Sequence, residues 1–210
     1  MFEESGQKRP NVIFLFSDQQ RYDTVSCYGE EPGSGFRLTP NLDRLAEEGT
    51  RFTHAYTCQP VCGPARACIQ TGLYPDAIGC HVNDRMLPQG TKTIAEYFRE
   101  AGYETAYVGK WHLASQYSFG DDPRKIDYKT RAIPEQYRGG YQDFWIAADV
   151  LEFTSHGYGG FMYDGNGEKR EFSGYRADAT TDFALEYLQK PKEKPFFLFV
   201  SYIEPHYQND

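Results

Sequence analysis

Two short runs of uninterrupted apolar residues constrain the fold most. Asn11 to Ser17 (NVIFLFS) and Phe196 to Ile203 (FFLFVSYI) are rich in β-branched and aromatic side chains. A strand with one wet face alternates apolar and polar residues, whereas a strand buried on both faces does not. Continuous runs of this length therefore point to a parallel sheet covered by helices on either side. Tyr103 to Gly109 is expected to be a further strand, and helical signals lie between the runs. Thr39-Pro40 offers a capping residue and a proline at the first position, Leu42, Leu45 and Ala46 line one face, and Gly49 stops the helix. Thr93-Ile94-Ala95-Glu96 reads as a capping box ahead of a stripe of Ile94, Tyr97, Phe98 and Ala101, with Gly102 as the stop. Ala177, Thr181, Ala184, Leu185 and Leu188 recur at helical spacing until Pro191 and Pro195 end that element. The alternation predicts an α/β fold with a mostly parallel central sheet flanked by helices.

In open sheets of this kind ligands collect beyond the carboxyl ends of the strands. The three expected strands deliver Asp18-Gln19, Lys110-Trp111-His112 and Glu204-Pro205-His206 to that edge. Oxygen donors on Asp18 and Gln19 suit a hard cation, although an Asp after a strand also serves simply to cap a turn. If the chain stays extended past Gly109, Lys110 and His112 face one side while Trp111 packs on the other. A lysine and a histidine aimed together make an anion site with one fixed and one titratable charge.

Arg51 to Tyr56 reads as a short strand leading to Cys62-Gly63-Pro64-Ala65-Arg66. Pro64 is tolerated in a first helical turn, Ala65 to Gln70 favours a helix, and Gly72 can end it, which puts Cys62 at a helix N-terminus. Free N–H groups and the positive dipole end favour negative charge there, and Arg66 falls on the face of Cys62. Taken singly, Cys62 reads as a small buried residue and Arg66 as a surface charge. Cys58, Cys62, Cys68, Cys80 and His81 also suggest a zinc module, but only Cys58 and Cys62 approach the spacing such sites use.

The segment from Ser115 to Phe172 shows no clear period. Its aromatics, among them Tyr117, Phe119, Tyr128, Tyr137, Tyr141, Phe144 and Trp145, read as an irregular insert at about 115–172. With 210 residues and a net charge of −8, the chain is expected to be one domain or part of a larger one, and it has no basic tract to neutralise nucleic-acid phosphates. No run approaches the roughly 20 apolar residues that a membrane span needs, so no membrane partner is expected. The polar N-terminus and odd count of five cysteines lead to the expectation of a cytoplasmic protein with reduced thiols.

The segments NVIFLFSDQ, TPNLDRLAEEGTRFTHAY, CGPAR, GYETAYVGKWHL and FFLFVSYIEPH together resemble the N-terminal part of the formylglycine-dependent sulfatases, in the alkaline-phosphatase-like superfamily. The resemblance runs from about Pro10 to the end of the chain. It implies that a maturation enzyme oxidises Cys62 to formylglycine, and that Asp18, Gln19 and residue 62 hold a divalent cation, usually calcium, with magnesium or manganese as alternatives. It further implies that Arg66 holds the formylglycine, that Lys110 and His206 contact the sulfate, and that His112 assists turnover. The substrate it implies is a small-molecule or glycan sulfate ester. A hydrated aldehyde is a geminal diol, whose second hydroxyl lets the sulfated intermediate collapse without water attacking sulfur. Ala65 stands where the family usually has Ser, and Gln19 where many members have Asp. The Gln19 variant also resembles the related phosphonate monoester and phosphodiester hydrolases, which stay open as an alternative. Family members are longer and carry their remaining metal ligands beyond the equivalent of Asp210. The resemblance therefore implies a truncated portion that binds metal weakly and turns over slowly.

Overall fold

A computed structural model describes residues 9–29, 38–117 and 123–207. Among these, seven strands form one sheet: β1 (Val12–Ser17), β2 (Glu104–Lys110), β3 (Phe144–Ala148), β4 (Ser155–His156), β5 (Tyr158–Asp164), β6 (Lys169–Tyr175) and β7 (Phe196–Tyr202). The strand order is β1-β7-β2-β3-β5-β4, with β6 paired to β5. β1, β7, β2 and β3 run parallel, while β5 is antiparallel to its neighbours. The helices are α1 (Pro40–Glu48), α2 (Cys62–Thr71), α3 (Ile94–Glu100) and α4 (Arg176–Gln189).

The inner parallel strands β7, β2 and β3 are covered on both faces, as their apolar residues require. On one face the register aligns Phe14, Phe199, Tyr107 and Trp145 across four strands. Their rings stack at centroid separations of 4.7 Å for Phe14–Phe199 and 5.2 Å for both Tyr107–Phe199 and Tyr107–Trp145. Each such pair is worth about 0.5–1.5 kcal/mol beyond its buried area. Ala67 of α2 and Ala95 of α3 belong to that layer. On the other face Val108, Ile146, Leu198 and Val200 pack with Phe183, Ala184 and Tyr187 of α4. Gly109 pairs with Ser201 at a φ of +107°, where a Cβ would stand 2.0 Å from the Ser201 carbonyl oxygen. Only glycine lets β2 and β7 approach there.

Several local expectations are corrected. β1 is an outer strand paired only with β7, so Ile13 and Leu15 stay exposed on the α4 side while Val12, Phe14 and Phe16 pack inward. α1 forms as expected, yet Leu42 and Leu45 are exposed. Thr39 accepts from Ser26 N at 2.9 Å instead of capping its own helix. Arg51 to Tyr56 is not a strand; its residues are exposed, and none joins the described sheet. In α4 the buried stripe is Ala179, Phe183, Ala184 and Tyr187, with Leu185 exposed. The expected irregular insert contains β3, the β4–β5–β6 antiparallel ribbon and core residues Tyr141 and Trp145, whereas its Phe119 lies outside the described residues. α2 and the α3 capping box match expectation: Thr93 accepts from Glu96 N at 3.3 Å, and the Glu96 carboxylate accepts from Thr93 N at 2.9 Å.

Candidate active site

Cys62 is the first residue of α2, placed at the carboxyl edge of the sheet beside the turn after β1. The helix start packs close because residue 63 is glycine. Gly63 N donates to Asn83 Oδ1 at 2.8 Å, and a Cβ would stand 3.1 Å from that oxygen. The Cys62 thiol donates to Asp18 Oδ1 at 3.7 Å. Burial pushes that thiol's pKa up; the cations of Lys110 and Arg66 oppose the shift, and the Asp18 and Glu152 charges add to it. A thiol held protonated lacks the thiolate character of an activated cysteine nucleophile.

Two buried cations meet on one carboxylate. Arg66 Nη2 and Lys110 Nζ each lie 3.0 Å from Asp18 Oδ2. Arg66 Nη1 also donates to the Lys110 carbonyl oxygen at 2.6 Å and to Ser201 Oγ at 2.7 Å, so one guanidinium ties the ends of β1, β2 and β7. Burial alone would raise the Asp18 pKa, but the two cations and their hydrogen bonds outweigh it and hold the carboxyl at about 2, against its ordinary 3.8. In a chain of net charge −8, this is where local positive charge is concentrated against a carboxylate. Lys110 has a second partner, Glu152 Oε1, at 2.6 Å.

The histidines arrive by different routes. β2 ends at Lys110, Trp111 enters the aromatic core, and His112 takes a left-handed φ of +59°, so the expected extended alternation through residue 112 is broken. His112 N donates to the Asp149 carbonyl oxygen at 2.6 Å, while the Asp149 carboxylate accepts from Ala114 N and Ser115 N, each at 2.9 Å. The loop is thereby wrapped on a buried acid. Burial first, then the Lys110 and Arg66 charges, depress the His112 pKa well below 6.5. His112 is therefore neutral at pH 7. His206, after β7, is buried and has its pKa lowered, chiefly by burial and then by Lys110.

Asp18, Cys62 and His206 each place one donor atom within 4.8 Å of the others, the only such group of three among the described residues. Its acid stays ionised over the ordinary pH range, which suits a divalent cation. Gln19, at φ +58°, lines the same cleft of about 600 Å³ together with Asp18, Cys62, Arg66 and His206. Cys58, Cys68, Cys80 and His81 do not gather into a ligand set, so the zinc module is set aside; all five cysteines are free. No described helix is long and apolar enough to cross a membrane.

Three supporting residues escaped the sequence reading. Asp149 and Glu152 follow β3, a strand hidden in the aromatic stretch. Arg176, fully buried at the start of α4, donates to Glu204 Oε1 at 2.8 Å and to Ser155 Oγ at 3.2 Å. It thereby links the loop after β3 to the turn that carries His206. Recognising β3 would have put Asp149 and Glu152 at a fourth strand end; nothing local marks Arg176.

A family model described as Sulfatase matches residues 10–210. The chain is 34% identical over 210 residues to the sulfatase YidJ of Escherichia coli K12, covering 95% of this chain and 39% of that protein. It is 32% identical to the N-acetylglucosamine-6-O-sulfatase of Bacteroides thetaiotaomicron, covering 97% of this chain and 32% of that one. Among solved structures, a protein in complex with its substrate D-glucosamine-2-N,6-O-disulfate superposes with a TM-score of 0.74 at 32% identity, covering 95% of this chain and 35% of its own. The chain thus spans well under half the length of these relatives. The fold is the alkaline-phosphatase-like α/β arrangement that the motifs imply. With the match extending over nearly its whole length, this chain belongs to the sulfatase family.

Proposed function

We propose that this chain supplies the nucleophile and the anion-binding groups of a sulfate-ester hydrolase. The observation that carries the reading is Cys62 at the start of α2, 3.7 Å from an Asp18 carboxylate that is itself bound by buried Arg66 and Lys110. The thiol's raised pKa argues that cysteine acts here only after conversion, so a maturation enzyme is the partner this reading requires. Oxidised to formylglycine and hydrated, residue 62 would supply an oxygen nucleophile and a second hydroxyl on the same carbon. A divalent cation, with calcium our choice, would be held by Asp18, Gln19 and residue 62 beside His206, and would supply Lewis acidity.

Each remaining role belongs to a side chain in place. Lys110, Arg66 and His206 balance the charge of the sulfonate and orient it towards residue 62. Neutral His112 accepts the proton of the second hydroxyl of residue 62, which lets the sulfated form collapse to the aldehyde and release sulfate. The buried Asp149 fixes the backbone on which His112 sits. For the substrate we favour a sulfated sugar, supported by two of the relatives named above, the N-acetylglucosamine-6-O-sulfatase and the protein in complex with D-glucosamine-2-N,6-O-disulfate.

A panel of 4-nitrophenyl sulfate, glucose 6-sulfate and a phosphonate monoester tests the reading, with the protein co-expressed with a formylglycine-generating enzyme. Sulfate release that is lost in Cys62→Ala is the expected result. Preference for the phosphonate would assign the site to the related phosphoryl-transferring hydrolases instead.

A further inference from the structure

Beside its charged end the cleft has an apolar lining that none of the roles above uses. Pro60, Val61 and Ile69 border it together with Tyr207, next to Asp18 and His206. An inorganic anion needs only the charged groups, whereas apolar side chains next to them suit the carbon body of an organic ester. Tyr207 is 75% exposed, although its ring lies nearly parallel to that of the buried His206, with centroids 4.7 Å and planes 24° apart. The imidazole covers one face of the tyrosine, so the exposure belongs to the other face.

A single exposed tyrosine is ordinary on a protein surface, but this one is held in place. His206 N donates to the Ile203 carbonyl oxygen at 2.9 Å, which closes the turn after β7. In the same turn Glu204 Oε1 is bound at 2.8 Å by the fully buried Arg176. The ring is also within reach of the nucleophile. His206 places a ring nitrogen within 4.8 Å of the Cys62 sulfur, and the tyrosine lies one stacking distance from that imidazole. An ester with its sulfonate at residue 62 and a ring on its bridging oxygen is of a size to span that interval.

We propose that Tyr207 determines specificity by stacking, on its open face, with the ring of the alcohol that carries the sulfate. This rests on the reading of Lys110 and His206 as sulfonate contacts. The class it selects is a sulfate monoester borne on a six-membered ring, pyranose or aryl, over an open-chain alkyl sulfate. Either ring brings a broad face to a tyrosine that is already fixed, so little side-chain freedom is lost on binding. An alkyl sulfate has no such face and gains nothing from Tyr207.

Calorimetric titration with methyl sulfate, phenyl sulfate and glucose 3-sulfate tests this, in the 210-residue protein carrying Cys62→Ala so that the esters bind without turnover. The first ester has no ring; in the other two the ring bears the ester oxygen directly. With Tyr207 in place, at least one ring ester is expected to bind about three- to tenfold more tightly than methyl sulfate, the range of one aromatic stack. Which ring is preferred identifies the alcohol as sugar or aryl. Tyr207→Ala is expected to lose the preference while binding methyl sulfate within about twofold of the parent, and Tyr207→Phe, which keeps the ring, to retain it. Should circular dichroism show Tyr207→Ala unfolded, Tyr207→Leu, apolar but without a flat face, is read by the same comparison. Equal weakening of all three esters would mean that Tyr207 acts only by holding His206 and would overturn the proposal. So would a parent protein with no preference, or a preference that survives Tyr207→Ala or is lost in Tyr207→Phe. Binding of none of the three would remove the reading of Lys110 and His206, and this inference with it, a result distinct from selective loss.

Discussion

Replacing Asp18 with Asn tests how far the site's charge pattern stabilises the fold. The Asp18 carboxyl is held at about 2 in the folded chain against an ordinary 3.8, so the ionised form is favoured by about 2 kcal/mol. The sign follows from the depression. Stability from this group is fully present above the unfolded value and is lost as pH falls towards the folded one. At pH 7 the wild type is expected to exceed Asp18→Asn by about 2 kcal/mol on this account, and at pH 3 by about 1 kcal/mol, because the unfolded carboxyl is then mostly protonated while the folded one is still largely ionised. The two cations left behind keep other partners: Ser201 and the Lys110 carbonyl oxygen for Arg66, and Glu152 for Lys110. The loss therefore falls short of the roughly 3–5 kcal/mol seen when a buried ion is stranded. Urea denaturation of both proteins at pH 7, 5 and 3 measures the difference. A difference that is constant with pH, or one that grows on acidification, would refute the assignment of Asp18 as the shared counter-ion.

Two further perturbations probe separate links. His112→Gln should leave inorganic sulfate binding within about twofold and lower turnover of the matured enzyme by about 10² or more, the usual weight of a positioned base. Because the His112 pKa lies well below 6.5, the wild-type rate should not fall between pH 8 and 6.5 on its account; a fall that the His112→Gln variant lacks would contradict this. Gly109→Ala puts a methyl group 2.0 Å from the Ser201 carbonyl oxygen at a φ of +107°, so it should destabilise the fold by about 3 kcal/mol or more, read as a lowered urea midpoint. A midpoint within error of wild type would show that β2 and β7 can separate there at little cost.

What was legible in the sequence was what is decided locally. The β7 run is apolar throughout because both its faces are covered, and α2 and α3 carry their own start signals in Pro64 and the Thr93–Glu96 box. The apolar runs of β1, β2 and β7 accordingly point, at their carboxyl ends, to Asp18, Lys110 and His206. β3, β5 and β6 were missed for a physical reason. β5 and β6 are half-exposed strands of an antiparallel ribbon, interrupted by Gly159, Gly160 and Gly174 at positive φ, and neither reads as an apolar run. Asp164, which accepts from Asn166 N and Glu168 N at 2.9 Å each, makes the turn between them, but with no flanking period to frame it that turn was invisible. The same loss hid Glu152. His112 shows a different limit, since its contribution depends on a left-handed residue after the strand, which residue types alone do not specify. The exposed faces of β1 and α1 mark where an apolar pattern was present but no described element covers it.

The central claim is that residue 62 is a formylglycine precursor, and the most direct measurement is the mass of the tryptic peptide carrying Cys62 after co-expression with a formylglycine-generating enzyme. The account predicts an aldehyde in place of the thiol, trapped by a hydrazide probe, with Cys58, Cys68 and Cys80 unchanged. A thiol still intact under conditions that convert a control sulfatase would contradict it, and the catalytic roles given to Lys110, His112 and His206 would fall with it.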